Sequence, residues 1–492
     1  MSELAQNGEI WLRGGAYVAV FLVCALSLAK LRSTRTRQIV LLLASLGLYL
    51  TWIPWFGLVL AASIVMNFLV GGWLRRKNSW RPLAIGIVLN LLLLGVFKYL
   101  PEFAIRFPLS PLHALSQLAL PLGISFWTFQ ALSYLFDLYR EEELDPSLVE
   151  FALYMAFFPV TIAGPVCRMP DMLPQFRAHA PTARTTVLQG LRRIAVGVLM
   201  MQFAKLLGQG ILAGDGIVSG FDRSTQWSGA DVWCLAVGYG LQLFFDFAGY
   251  THIAVGAAQA LGITVPENFE RPFASTSLSM FWTRWHMSLS FWIRDYLFFP
   301  LAVLRREIWW RNLVLIFSMA LFGLWHRASL LFLIWGCYHG VLLVLHRVVQ
   351  QTGRAFDWQP ASRLWTAFSW LVTMALISLG WIFFRAHSLS QAGQMLWAIA
   401  SPRSYSSHFL SPSLYALVIT MAAGYALVVA IAQVLEREME ASEETAPSTM
   451  LALIARWRWF WIPAVYALAL LFVLMITLTQ EGGTGQLMYR RF

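Results

Sequence analysis

"LFGLWHRASLLFLIWGCYHG", residues 321–340, sets two histidines and an arginine among leucines, phenylalanines and tryptophans. The chain around it has 492 residues, 58% hydrophobic and only 12% charged, with mean hydropathy +0.62. Soluble globular domains carry about 25% charged residues, roughly twice this share. A helix crosses the hydrocarbon core with about 20 apolar residues, and several windows here reach that length. Lipid offers backbone amides no partner, so long apolar runs must be helical. A β-barrel requires alternation of period two, which these runs lack. The fold class expected is therefore all-α, a polytopic transmembrane helical bundle.

Working outward, apolar segments fall at about 15–30, 38–53, 56–73, 83–99, 115–136, 148–166, 186–213, 230–262, 312–325, 329–346, 364–384, 411–435 and 459–479, of which about eleven are expected to cross. Segment 230–262 is too long for one span and contains "DFAGY", which suggests a broken or bent pair. Residues 266–311 interleave aromatics with Arg284, Arg294 and Asp295, as an interfacial amphipathic helix or one lining an internal cavity does. "EREMEASEETAPSTM" (436–450) reads as a polar loop. No repeat and no boundary dividing a second domain is visible, so residues 1–492 read as one integral-membrane domain.

The net charge of +11 comes mainly from arginines in short loops. "KLRSTRTR" (30–37) and "LRRKNSWR" (74–81) sit between apolar runs, where the positive-inside rule puts them in the cytoplasm and the N-terminus outside. This accounts for the basicity without nucleic acid. Cys24, Cys167, Cys234 and Cys337 have neither metal-site spacing nor a disulfide framework, and no metal is expected. No cleavable signal is evident after the acidic start at Glu3 and Glu9.

An ionisable side chain at membrane depth is costly and is a functional candidate by default. His326 ends the run 312–325. A neutral imidazole there serves either as general base towards a hydroxyl or thiol, or as a packed histidine bonded to a backbone carbonyl. His286, in "RWHMSLS" beside Arg284 and Trp285, suits substrate orientation or a structural cap. His339, in the next helix, suits a helix–helix hydrogen bond. Asp246 lies between phenylalanines, and Trp325 and Arg327 flank His326. Arg140, Arg168 and Arg385 end apolar runs, and snorkelling to the interface explains them. No GxSxG, HExxH, P-loop or dinucleotide fingerprint occurs, nor the HxxxxD of soluble glycerolipid acyltransferases.

The motifs together resemble one family. "FWTRWHMSLSFWIRDYLFFPL" (281–301) followed by "GLWHRASLLFLIWGCYHG" (323–340) is similar to the signature of the membrane-bound O-acyltransferase (MBOAT) family. The likeness is to its bacterial branch, which includes the alginate O-acetylation membrane protein and the D-alanyl transfer protein of teichoic acids. "PLGISFWTFQALSYLFDLYR" (121–140), "FFPVTIAGPVCR" (157–168), "FFDFAGYTHIAVGAAQALGI" (244–263), "PENFERPF" (266–273) and "GWIFFRA" (380–386) follow the family's order, over a core of about 120–390. The resemblance implies a bundle pierced by a funnel or tunnel, with His326 at the catalytic histidine's position. It makes His286 an assisting residue and matches His339 to a further family histidine without an assigned role. Arg284, Trp285, Asp246, Arg327 and Trp325 are substrate-binding candidates, and Asp295 a further one. Three departures stand out: Arg327 where glycine is usual after "GLWH", His252 where relatives tend to be acidic, and Val160 where glutamine is common.

The function expected from the resemblance is transfer of an acetyl group from cytoplasmic acetyl-CoA towards hydroxyls of an extracytoplasmic polysaccharide. The chain would be a multi-pass protein of the bacterial inner membrane, working with a separate extracytoplasmic acyltransferase partner. A second reading is D-alanyl transfer from a phosphopantetheine carrier protein. A third, of another class, is a non-catalytic transporter of glycan or acyl groups, against which the lack of internal repeats counts.

Overall fold

A computed structural model describes residues 17–25, 27–28, 31, 33–51, 53–105, 115–178, 183–211, 215–223, 227–356 and 362–444. The described residues are helical, joined by turns and short 3₁₀ and π segments, with a single isolated bridge between Phe269 and Trp285. Eight of their helices are long and apolar enough to cross a membrane: Pro54–Arg76, Trp80–Ala104, Arg184–Gln209, Gly229–Ala260, Ile308–His326, Leu330–Ala355, Arg363–Arg385 and Pro412–Glu436. The all-α polytopic class therefore holds.

Three expected spans fold as shorter helices: Thr34–Leu50, Ile124–Tyr139 and Leu148–Ala156, with 17, 16 and 9 residues. The last stops where "FFPVTIAGP" begins, because Pro159 and Pro165 cannot continue a helix. The segment 459–479 lies outside the described residues. Two expectations are corrected. Residues 230–262 form one unbroken helix, Gly229–Ala260, of 32 residues. It contains no proline, and protein covers nearly all of it, so "DFAGY" needs no break to leave the lipid. The helix from Pro412 runs to Glu444, so the first half of the expected polar loop is helical.

The chain folds as two compact units that interleave along the sequence, which is why no linear boundary shows. The first comprises Met1–Gly197, Tyr250–Asn268 and His286–Val314. Its core centres on Trp127, Tyr134, Phe151 and Tyr154, all fully buried. Helix Ile124–Tyr139 packs there against Pro54–Arg76 and Trp80–Leu94. Those two helices are also tied by Asn67 and Asn90, fully buried and exchanging amide hydrogen bonds of 3.2 and 2.7 Å. Amide pairs of this kind satisfy polar groups that lipid cannot.

The second unit comprises Val198–Gly249, Phe269–Trp285 and Leu315–Phe492. Its helix Leu330–Ala355 packs against Arg363–Arg385 and Leu278–Trp282. "GCYHG" (336–340) is a GxxxG pattern that brings this helix against the one carrying His326. A Cβ at Gly336 would stand 2.2 Å from the Met319 carbonyl oxygen, and one at Gly323 2.1 Å from that of Phe332. The backbones therefore touch, and the helix carrying His339 lies directly against the one that ends at His326.

Candidate active site

His326 is the last residue of its helix and is buried. The chain turns at once, with Ser329 N–H donating to the Arg327 carbonyl at 2.8 Å, and Ser329 then caps the next helix. This turn returns Phe332 and Trp335 to the imidazole. Ring centroids stand from that of His326 at 4.9 Å for Phe322, 4.7 Å for Trp325, 5.2 Å for Phe384 and 5.6 Å for Trp335. Phe384 and Trp335 meet it edge to face, a favoured aromatic geometry. The cage encloses the imidazole on several sides. An imidazole so enclosed suits proton transfer with a bound hydroxyl.

His339 lies one turn beyond Trp335 on the same helix face and is 1% exposed. Trp282, Trp335 and Tyr338 stand edge-on at 5.2, 5.0 and 5.1 Å. Neither ring nitrogen has a hydrogen-bond partner among the described residues, which overturns the expected helix–helix bond. Gly380 is needed for the same packing, since a Cβ there would approach His339 Nε2 to 2.5 Å.

His286 belongs to the first unit and is held by polar groups. It adopts a left-handed conformation, φ 45°, as the N-cap of helix Met287–Ile293. Asn268 cradles it: the Asn268 carbonyl accepts from Met287 N–H at 2.8 Å, and Asn268 Oδ1 lies 3.3 Å from His286 Nδ1. Ser288 Oγ donates to the same Oδ1 at 2.6 Å and accepts from Val166 N–H at 2.9 Å. Asn268 Nδ2 donates to Thr251 Oγ1 at 3.2 Å. An amide oxygen only accepts, so His286 Nδ1 carries the proton and Nε2 the lone pair. Burial pushes the imidazole down to about 3, so it is neutral at physiological pH.

The remaining candidates scatter. Trp285 is buried in the second unit, 5.1 Å from Trp381, which reaches the His326 cage through Phe384. Arg284 contributes its carbonyl oxygen to Glu270 N–H at 3.1 Å. Asp246 is buried within the long helix, Trp325 joins the cage, and Arg327 is exposed. Asp295 binds Arg168 and Arg294 in the first unit. The arginines expected to snorkel also have partners: Arg168 with Asp295 at 2.8 Å, Arg385 with Asp222 at 2.9 Å, and Arg140 with the Asp295 carbonyl at 2.6 Å. Their partners lie far away in sequence, where a local reading does not look. Asn268 and Ser288 sit inside the quoted motifs without a local signal of their own, and Trp282 and Trp335 look like ordinary apolar positions.

Comparison with known proteins agrees with the motifs. The sequence profile of MBOAT, the membrane-bound O-acyltransferase family, matches residues 88–384. The chain is 35% identical over 400 residues to the probable alginate O-acetylase AlgI of Pseudomonas aeruginosa, covering 78% of this chain and 74% of that protein. It is 33% identical over 399 residues to the peptidoglycan O-acetyltransferase of Helicobacter pylori, covering 72% of each. With the teichoic acid D-alanyltransferase of Bacillus subtilis it shares 29% identity over 336 residues, 65% of this chain and 83% of that one. The match spans both histidine motifs and most of the described helices, so the chain belongs to the membrane-bound O-acyltransferase family and is a multi-pass membrane O-acyltransferase.

Proposed function

We propose that this enzyme moves an acetyl group from cytoplasmic acetyl-CoA to hydroxyl groups of an extracytoplasmic polysaccharide, as the inner-membrane half of a system with a separate extracytoplasmic acyltransferase. The observation that carries the reading is His326, a buried imidazole at a helix end inside an aromatic cage. The imidazole takes the proton of the attacking hydroxyl, and the oxygen bonds to the thioester carbonyl carbon. The tetrahedral intermediate collapses with loss of the C–S bond, and the thiolate leaves to take up a proton. His286, with its Nε2 lone pair, orients a polar substrate group. The names of the alginate and peptidoglycan relatives support acetyl transfer to a glycan. Similarity to the D-alanyltransferase keeps D-alanyl transfer as the second reading.

The test is ester-linked acetate released by mild base from surface glycans of wild type, a deletion strain, and the deletion complemented with His326→Ala at matched protein level. Loss in both mutants is expected. Normal acetate in the complemented strain would reject the role of His326. Normal acetate in the deletion would reject acetyl transfer and direct the assay to ester-linked D-alanine.

A further inference from the structure

In the first unit, three guanidinium groups gather on two adjacent residues. Arg168 Nη2 lies 2.8 Å from Asp295 Oδ2, and Arg294 Nε 2.7 Å from Asp295 Oδ1. Arg140 donates to the Asp295 carbonyl at 2.6 Å. Arg140 and Arg168 also stand over the Tyr296 ring, at 5.1 and 5.0 Å from its centroid. Tyr296 in turn donates its hydroxyl to Asp137 Oδ1 at 2.7 Å. Asp295 and Tyr296 belong to a π-helical turn, Arg294–Phe298, and such turns are frequent at functional sites.

Two features separate this cluster from a simple staple. Only four hydrogen bonds engage its three guanidiniums, so most of their N–H donors are uncommitted among the described residues. Arg140 is exposed and the Arg294 side chain is 49% exposed, so those donors are reachable. Behind them Asp137 is 6% exposed, and its Oδ2 has no partner among the described residues. Planar guanidiniums are also the side chains best matched to phosphate oxygens.

The cluster's side of the membrane follows from its neighbours. Asn78, in the basic loop 74–81, donates to the Tyr139 carbonyl and to Glu141, both at 3.3 Å. Arg75 pairs with Asp145 at 2.6 Å. The turn that presents Arg140 is thus bound to the loop that the positive-inside rule assigns to the cytoplasm.

We propose that Arg140, Arg168 and Arg294, gathered on Asp295 and Tyr296, form a phosphate-binding site on the cytoplasmic side, occupied by the phosphate groups of the incoming acyl donor. This rests on the reading that the donor is a cytoplasmic, phosphate-bearing thioester. An anionic lipid headgroup offers the same chemistry from another source.

The test measures binding without turnover, so it is independent of the glycan ester assay. Labelled coenzyme A and labelled pantetheine, which lacks phosphate, are equilibrated with the purified full chain in phosphatidylcholine nanodiscs. Phosphatidylglycerol co-purifying with the chain is quantified by mass spectrometry. The double variant Arg140→Gln/Arg294→Gln and the single, exposed Arg140→Gln are compared with wild type at matched thermal midpoint. Coenzyme A binding about tenfold weaker in the double variant, with pantetheine unchanged, supports the donor site. Unchanged coenzyme A binding with loss of phosphatidylglycerol supports a phosphate site filled by lipid and overturns the donor as its occupant. A folded double variant that alters neither overturns the site altogether.

Discussion

His286 and His326 are the same residue type in two different kinds of surroundings. In the first unit, His286 is fixed by Asn268, whose side chain also holds Ser288 and Thr251. In the second, the neighbours that define His326 are aromatic rings. A polar cradle sets a tautomer and an orientation, at the cost of freedom to exchange the proton. An aromatic cage packs the imidazole between ring faces and edges. The proposed division of labour gives proton transfer to His326 and positioning to His286, and it can be broken at several points.

The largest effect tests the assignment itself. With purified protein and a soluble acceptor, His326→Ala should lower turnover about 10³-fold, and His286→Ala about 10²-fold, within the range of general acid–base contributions. Equal losses, or the reverse order, would break the division of labour. The cradle is tested next. Asn268→Leu keeps the side-chain size but removes the acceptor of Ser288 and His286, and misorientation should lower turnover up to about 10²-fold. Full activity in a folded Asn268→Leu protein would mean that the cradle is structural only. The smallest effect sharpens the aromatic side of the comparison. Gly380→Ala would push a methyl against His339 Nε2 and should destabilise the chain by about 1–3 kcal/mol, read as a lower thermal midpoint in detergent. An unchanged midpoint would mean that His339 has room to shift, and that its surroundings are looser than their ring contacts imply.

Part of this was open to a reader of the sequence. Apolar runs determined the helical membrane class, because lipid leaves the backbone no alternative to internal hydrogen bonds. The spacing of "GLWH" and "YHG" placed His326 and His339 on successive helices, and the order of motifs indicated the family. The GxxxG at 336–340 was also present in the letters, since close backbone approach depends on what a residue lacks.

Other properties depended on groups far apart in the chain. That 230–262 is one helix follows from how completely protein surrounds it, and no local pattern reports that burial. Arg168 looks like an interfacial anchor until Asp295, 127 residues later, is brought to it. Asn268 is an unremarked amide in "PENFERPF" until the chain returns with His286 and Ser288. Periodicity and motif order are local, so the sequence alone determined the class and the candidate histidines. Partners, burial and tautomer are relations between distant segments, and only the tertiary structure decided those.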